Sequence, residues 1–290
     1  MTASTYVRPA DLAELVQLRR DHPDWLIVAG GTDVMIGVNF GRLRPAGVLD
    51  VSAVAELKDH HVEGDSLRLG AGVTFQTIES ELAPLVPGLA IAARGVGSPQ
   101  IRATATLGGN LGTASPAGDS HPMLIALGAT IELASVRATR LVAAHEFFTG
   151  PGRSVLAADE VIVAVRIPRC PTSRQQFSKI GARNAMVIAI AALGLVVDPG
   201  ERRVGVGLGS VGPTPIRASS AERFLAHELW PDGHDGPLSR PSPTVLAAFA
   251  EEVCRSARPI DDLRAPASYR SHTLAVMARR CLTRCLEDGS

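Results

Sequence analysis

Residues 105–119 read Ala105-Thr106-Leu107-Gly108-Gly109-Asn110-Leu111-Gly112-Thr113-Ala114-Ser115-Pro116-Ala117-Gly118-Asp119, a stretch in which almost every side chain is small. Such a run builds little core by itself. It suits places where backbone must come close to something else, because no Cβ stands in the way. A shorter cluster, Ala29-Gly30-Gly31-Thr32-Asp33, follows the apolar run Trp25-Leu26-Ile27-Val28 and precedes a second one, Val34-Met35-Ile36-Gly37-Val38. The glycine pair at 30–31 therefore falls at a strand-to-helix junction.

The surrounding pattern is mixed α and β. Apolar positions 12, 15, 16 and 18 after Asp11 suit an amphipathic helix over 11–20. Strands are expected at 25–28, 48–51, 67–72, 130–133 and 161–167, with a helix at 123–127, and the Thr74 hydroxyl is placed to cap a helix from Phe75. The stretch 85–101 reads as loop and helix. Pro168-Arg169-Cys170-Pro171-Thr172-Ser173 breaks both periods and marks a linker, which puts a domain boundary at residue 170. Beyond it, 176–181, 185–197 and 203–210 read as three strands, or as two strands and a helix. A proline-rich turn, a helix over 219–227, a loop over 232–243 and two C-terminal helices complete the chain.

Several function classes lose support from composition. The 290 residues carry 29 Lys and Arg against 29 Asp and Glu, so the basic excess expected of a nucleic-acid or membrane-surface protein is missing. The longest apolar run, 185–197, is short of the roughly 20 residues of a membrane span and reads as core. No apolar segment follows a basic start at the N-terminus, so a cytoplasmic location is expected. The four cysteines, Cys170, Cys254, Cys281 and Cys285, lack the Cys-x-x-Cys spacing of metal sites; Cys281 and Cys285 read as buried small hydrophobes on a helix. His60 and His61 are adjacent and would face opposite sides of a strand. Gly207-x-Gly209-x-x-Gly212 matches the dinucleotide fingerprint in letters, but Pro213 and Pro215 forbid the helix that fingerprint needs. It reads as a strand and a turn.

The glycine pairs at 30–31 and 108–109 are each followed by a short polar residue and each sit where strands end. Converging backbone amides of this kind hold anions without lysine or arginine. The residues alone leave open whether they form a pyrophosphate cradle or ordinary turns.

The combination of motifs is more specific than either pair. Ala29-Gly30-Gly31-Thr32-Asp33, Gly70-Ala71-Gly72-Val73-Thr74, Thr106-Leu107-Gly108-Gly109-Asn110 and Ala114-Ser115-Pro116-Ala117-Gly118-Asp119 resemble the FAD-binding medium subunit of molybdenum hydroxylases, the family of carbon monoxide dehydrogenase and xanthine dehydrogenase flavoproteins. The likeness extends through Lys179-Ile180-Gly181-Ala182-Arg183, Gly209-Ser210-Val211-Gly212-Pro213-Thr214-Pro215-Ile216-Arg217-Ala218 and Asp262-Leu263-Arg264-Ala265-Pro266-Ala267-Ser268-Tyr269-Arg270, nearly the whole chain.

That resemblance implies an α+β PCMH-type fold: FAD-binding lobes at 1–55 and 56–170, then a smaller domain at 174–288 with a three-stranded antiparallel sheet and helices. It implies noncovalent FAD held by Ile27, Val28, Ala29, Gly30, Gly31, Thr32, Asp33 and Val34 on one side. On the other stand Thr106, Gly108, Gly109 and Asn110, with Asp119 as a carboxylate anchor. Ile162 and Lys179 contact the cofactor, and Ile188 shields the flavin ring. Thr32 stands where related covalent flavoproteins use histidine. Val187 replaces an aspartate common in the family. The implied role is electron transfer within a complex containing a small [2Fe–2S] subunit and a large molybdopterin-binding subunit, assembled as a dimer of heterotrimers. NAD, a quinone, a cytochrome or O2 would be the external acceptor. The chain has no cysteine motif for an iron–sulfur cluster of its own. The alternative is a self-contained FAD oxidoreductase of the vanillyl alcohol oxidase type acting on a small organic substrate.

Overall fold

The computed structural model describes residues 5–231 and 238–287. Part of the expected loop at 232–243, namely 232–237, lies outside the described residues, as do positions 1–4 and 288–290 of the expected domains.

The first segment alternates strand and helix: β1 (Thr5–Val7), α1 (Leu12–Asp21), β2 (Leu26–Val28), α2 (Val34–Asn39) and β3 (Gly47–Asp50). The strands form a parallel sheet in the order β1-β3-β2. Asp11 caps α1 by accepting from the Glu14 amide at 2.8 Å. Leu15 and Leu49 are fully buried between helix and sheet. β2 ends at Val28, and the chain leaves it through the Gly30-Gly31 loop into α2, with Gly31 at φ +69°.

The second segment begins with β4 (His60–Glu63), β5 (Ser66–Gly70), α3 (Phe75–Ser80), α4 (Pro87–Arg94), α5 (Pro99–Thr104), α6 (Leu107–Thr113) and α7 (Ser120–Leu127). It continues through β6 (Thr130–Ala134), β7 (Thr139–Ala143), the hairpin β8 (Phe148–Gly150) and β9 (Arg153–Ser154), and β10 (Val161–Pro168). Its antiparallel sheet runs β4-β5-β10-β6-β7. Thr74 caps α3 as expected, accepting from the Thr77 amide at 3.1 Å.

Helix α6 was not visible in the sequence, because three of its residues are glycine and each disfavours helix by about 1 kcal/mol. A cap offsets this: Thr106 Oγ1 accepts from the Gly109 amide at 3.0 Å. Leu107 and Leu111 then bury completely against the second segment's core. The helix ends at Ala114, left-handed at φ +48°.

The C-terminal segment contains β11 (Arg174–Ile180), β12 (Ala191–Asp198), β13 (Arg203–Gly209), β14 (Ile216–Arg217), α8 (Ser219–Leu229), α9 (Pro243–Ser256) and α10 (Ala267–Glu287). Its sheet is antiparallel in the order β11-β12-β13-β14. The three long strands match expectation, and the two-residue β14 adds a fourth where the chain returns after the proline-rich turn. The run 185–197 corrects one reading. Only Ala191–Asp198 is strand, while Met186 and Ile188 are 55% and 61% exposed. Those apolar side chains lie outside the core.

Gly207 and Gly209, two letters of the rejected fingerprint, belong with Gly205 to a stripe on β13. A Cβ at 205 would overlap the Ala126 carbonyl, one at 207 the Pro122 carbonyl, and one at 209 would come within 2.9 Å of Pro122 Cγ. Alternate residues of β13 face the same way, so this glycine stripe lets α7 lie directly on the sheet backbone. Every residue of α7 is buried, between the second segment's core and the C-terminal sheet. Cys281 and Cys285 are buried in α10, as expected. Among the described residues no helix is long and apolar enough to cross a membrane.

Candidate functional site

A cleft of about 850 Å³ opens where the three segments meet. It is lined by Ile27, Ala29, Gly30, Gly31, Thr32, Asp33 and Val34 from the first segment. The second supplies Thr106, Gly108, Gly109, Asn110, Asp119 and Ile162, and the C-terminal segment Ile188. Of the residues singled out from sequence, only Val28 and Lys179 are not on its wall. Val28 Cγ1 lies 3.8 Å from where a Gly31 Cβ would stand, and Lys179 stands behind Asp119, donating to its Oδ2.

The two glycine clusters do different work. At 30–33 the backbone amides donate to no protein acceptor among the described residues, and this loop faces the cleft with its N–H groups free. At 107–110 the amides are already used. Leu107 donates to Val73 O at 2.9 Å, Gly108 to Ala71 O at 2.7 Å, Gly109 to Thr106 Oγ1 and Asn110 to Thr106 O at 3.0 Å. Only the first cluster is an open nest of donors; the second presents side chains and a flat, Cβ-poor wall.

Gly30 also holds two walls together. A Cβ there would overlap the Thr104 carbonyl, so the first two segments touch backbone to backbone at this point, while a Cβ on Gly108 would reach 2.5 Å from the Ala71 Cβ, a close approach within the second segment. Thr113 Oγ1 adds a hydrogen bond across the same junction to Asp33 Oδ2 at 3.3 Å.

Asp119 begins α7 and so inherits the rigidity of a helix seated on the glycine stripe. Its Oδ2 accepts from Lys179 Nζ at 2.6 Å, while its Oδ1 is buried with no partner. Burial pushes the Asp119 carboxyl above the usual carboxylate range, and the Lys179 ammonium pulls it back. Lys179 Nζ also donates to Gly95 O at 2.8 Å and to Val187 O at 3.3 Å. Val187 thus contributes its carbonyl, while its side chain occupies the space beside Gly181 that a Cβ would need. Behind this wall His121 is fully buried, its Nε2 3.3 Å from Asn110 O, and burial holds its pKa down to about 4. Asn110 Oδ1 accepts from Ser120 Oγ at 2.7 Å, which turns the Asn110 side chain along the wall.

Ile162 reaches the cleft because β10 slips register between Ile162 and Ala164 against β6; a bulge re-aims the side chain. Sequence reasoning missed Arg19, Trp25, Gly97, Ser98, Ile101, Ser115 and Met186, which also line the cleft. No local signal distinguishes Arg19 from its solvated neighbour Arg20. Met186 belongs to the apolar run 185–197, which reads as core in the sequence.

The residues present fit an extended, anionic dinucleotide: free amides for a pyrophosphate, an unpaired carboxylate oxygen for a donor, and apolar walls for rings. Comparison with known proteins agrees. Residues 2–170 match the family model described as FAD binding domain in molybdopterin dehydrogenase, and residues 176–285 match the CO dehydrogenase flavoprotein C-terminal domain. The chain is 32% identical to a xanthine dehydrogenase FAD-binding subunit of Escherichia coli O157:H7, over 97% of this chain and 95% of that one. It is 27% identical to the carbon monoxide dehydrogenase medium chain of Afipia carboxidovorans, over 96% and 95%. Among solved structures, a Cu,Mo-CO dehydrogenase chain superposes with TM-score 0.88 at 26% identity, covering 97% of each chain. Quinoline 2-oxidoreductase from Pseudomonas putida 86 superposes with TM-score 0.86 at 27% identity, covering 99% of this chain and 98% of the other. The nest, the buried carboxylate and these matches along both parts of the chain have one meaning: it belongs to the family of FAD-binding subunits of molybdopterin dehydrogenases and is an oxidoreductase subunit that binds FAD.

Proposed function

We propose that this chain is the electron-transferring flavoprotein subunit of a molybdenum hydroxylase complex and holds FAD noncovalently along the cleft. The amides of 30–33 receive the pyrophosphate, with Ile27, Val28, Ala29 and Val34 setting the loop that carries them. Thr106, Gly108, Gly109 and Asn110 form the facing wall, where Thr106 and Asn110 offer side chains and the glycines offer room. Asp119 accepts a hydrogen bond at its free Oδ1, and Lys179 holds that carboxyl in place and offsets part of the upward pull of burial on its pKa. Ile162 and Ile188 flank the ring system and exclude water. Thr32 has no nucleophile suited to a covalent flavin bond.

The observation that carries this reading is that the loop at 30–33, whose amides are unpaired among the described residues, and Asp119, whose buried Oδ1 is likewise unpaired, line one cleft from different segments. Bound FAD supplies a carrier that takes and gives electrons singly or in pairs, tuned by nearby charge. The chain then stands between a small [2Fe–2S] subunit, fed by a large molybdopterin-binding subunit in a dimer of heterotrimers, and an external acceptor such as NAD, a quinone, a cytochrome or O2. The matching relatives called a FAD-binding subunit and a medium chain support this place in a relay. The domain division at residue 170 belongs to the same proposal, with support from family matches that end at 170 and resume at 176.

The test is purification and reconstitution. The protein should carry a flavin spectrum and release FAD on denaturation without covalent residue. Co-expression with its neighbouring reading frames should yield an iron–sulfur subunit and a molybdopterin subunit that co-purify and bleach the flavin when substrate is added. A folded preparation that turns over a small alcohol by itself would favour a self-contained oxidase.

A further inference from the structure

Arg19 lies on the cleft wall at the opposite end of β2 from the nest. It sits in the last turns of α1, whose N-terminal end is tied near the C-terminal end of the parallel sheet by the Leu12 amide donating to Glu56 Oε1 at 3.2 Å. Its guanidinium Nη1 donates to Trp25 O at 2.8 Å, at the residue that precedes β2. From Trp25 to the nest at Gly30 the extended chain spans about 16 Å. Both ends line the same cleft, which therefore runs along β2 well past the position assigned to a pyrophosphate.

The Arg19 Nε is buried with no hydrogen-bond partner among the described residues. A buried guanidinium N–H is costly to leave unsatisfied, and burial presses the Arg19 pKa downward while Asp159 and Asp24 support its charge. Asp159 is engaged elsewhere, paired with Arg137. Nearby, the Trp25 indole is stacked on the His22 ring at 3.8 Å and fills the space above Gly47. The indole is thereby fixed and the backbone carbonyl holding Arg19 is fixed with it. Asp119, held by Lys179, and Val187 line the same cleft from other segments. A flavin dinucleotide with its pyrophosphate at 30–33 and one half toward Asp119 sends the other half toward Arg19.

We propose that Arg19 is a binding residue for the adenosine half of the dinucleotide, its Nε donating to an acceptor atom of the adenine ring or its ribose. This rests on the reading above that the 30–33 loop takes the pyrophosphate. Arg19 thereby gives the cleft its preference for a dinucleotide over a mononucleotide, since a flavin mononucleotide carries no group that reaches this end.

The test uses the full chain stripped of flavin, in wild-type form and as Arg19→Met and Arg19→Lys, with circular dichroism and thermal midpoints to establish folding. Affinity is measured for FAD and FMN by flavin fluorescence and for ADP by thermal shift. The expected result for Arg19→Met is a loss of about tenfold or more for FAD and for ADP, with FMN binding unchanged. Arg19→Lys, which keeps the charge without the Nε–H and disturbs packing less, should lose affinity in the same two arms. Unchanged ADP affinity in both folded variants overturns the inference, as does an equal loss for FAD and FMN. Failure of the wild-type chain to bind ADP while it binds FMN overturns instead the placement of the pyrophosphate on which the inference rests.

Discussion

Lys179 Nζ and Asp119 Oδ2 are 2.6 Å apart, and both side chains are largely buried. The same ammonium reaches the carbonyls of Gly95 and Val187, so one cation ties α4, the start of α7 and the 181–190 segment together at one end of the cleft. The second carboxylate oxygen is buried without a partner among the described residues, on a residue that lines the cleft.

Removing the cation tests this arrangement. Lys179→Met leaves Asp119 buried without its counter-charge, which should destabilise the chain by about 3 kcal/mol when the carboxylate is ionised. Burial already raises the Asp119 pKa, and losing Lys179 raises it further. A raised acid binds its proton more tightly in the folded state, so the penalty is small below the ordinary carboxylate pKa and grows as pH rises through the folded one. Urea unfolding at about pH 5 and about pH 8 should therefore show the larger loss at the higher pH. Lys179→Met/Asp119→Asn should restore most of the loss.

Backbone contact across the cleft makes a separate forecast. Gly30→Ala drives a methyl into the Thr104 carbonyl, and the segments must part to admit it. We expect a loss of about 2 to 3 kcal/mol and weaker FAD retention. Gly64→Ala is the control. Gly64 has φ +56° but open space around it, so only the left-handed backbone is strained, at about 1 kcal/mol. Comparing the unfolding midpoints of the two variants separates steric contact from backbone strain.

His121 should give the fold a titration in mild acid. Its pKa is held down to about 4 by complete burial, against an ordinary 6.5. The unfolded chain therefore binds a proton that the folded chain refuses between those values. The contribution is fully present above about pH 6.5 and is lost as pH falls toward 4, amounting to about 3 kcal/mol. His121→Gln should flatten that part of the stability profile measured by denaturant unfolding, whatever it does to stability near neutrality.

Arg270 anchors the segment that carries Met186, Val187 and Ile188 over the cleft. Its Nη1 donates to Ile190 O at 2.6 Å and Ser210 O at 2.9 Å, and its Nη2 to Asp262 Oδ1 at 2.7 Å. Arg270→Met strips the Ile190 and Ser210 carbonyls of this donor, while Asp262 keeps Arg264, and should cost about 3 kcal/mol. It should also expose the flavin, read as a change in visible absorption and faster quenching by iodide.

Local chemistry was legible in part: small residues at 29–33 and 105–119 announce close approach, and Thr74 announces a cap. That Ile27, Thr32, Asn110 and Asp119 belong to one site was implied only by the family resemblance, and the fold brings all four to one cleft. What escaped notice depended on distant partners. Arg19 looks like any helical arginine until Trp25 O and the cleft surround it. The run 185–197 looks like core, yet its first residues bend out over the cleft because Arg183 donates to the carbonyls of Ala185 and Met186 and Arg270 fixes Ile190.

Sequence by itself determined that this chain is mixed α and β, that two glycine-rich clusters serve close contact and that no basic surface is needed to hold an anion. Turn chemistry and hydrophobic period act over a few residues, and those features are written locally. Tertiary structure alone decided which cluster keeps its amides. The 107–110 amides are consumed by Ala71, Val73 and the Thr106 cap, whereas those at 30–33 find no acceptor among the described residues. It also decided what the 205, 207 and 209 glycines are for, because their meaning lies in the carbonyls of a helix far away in sequence. A glycine announces that something comes near; only the folded chain says whether that neighbour is a ligand or the protein's own backbone.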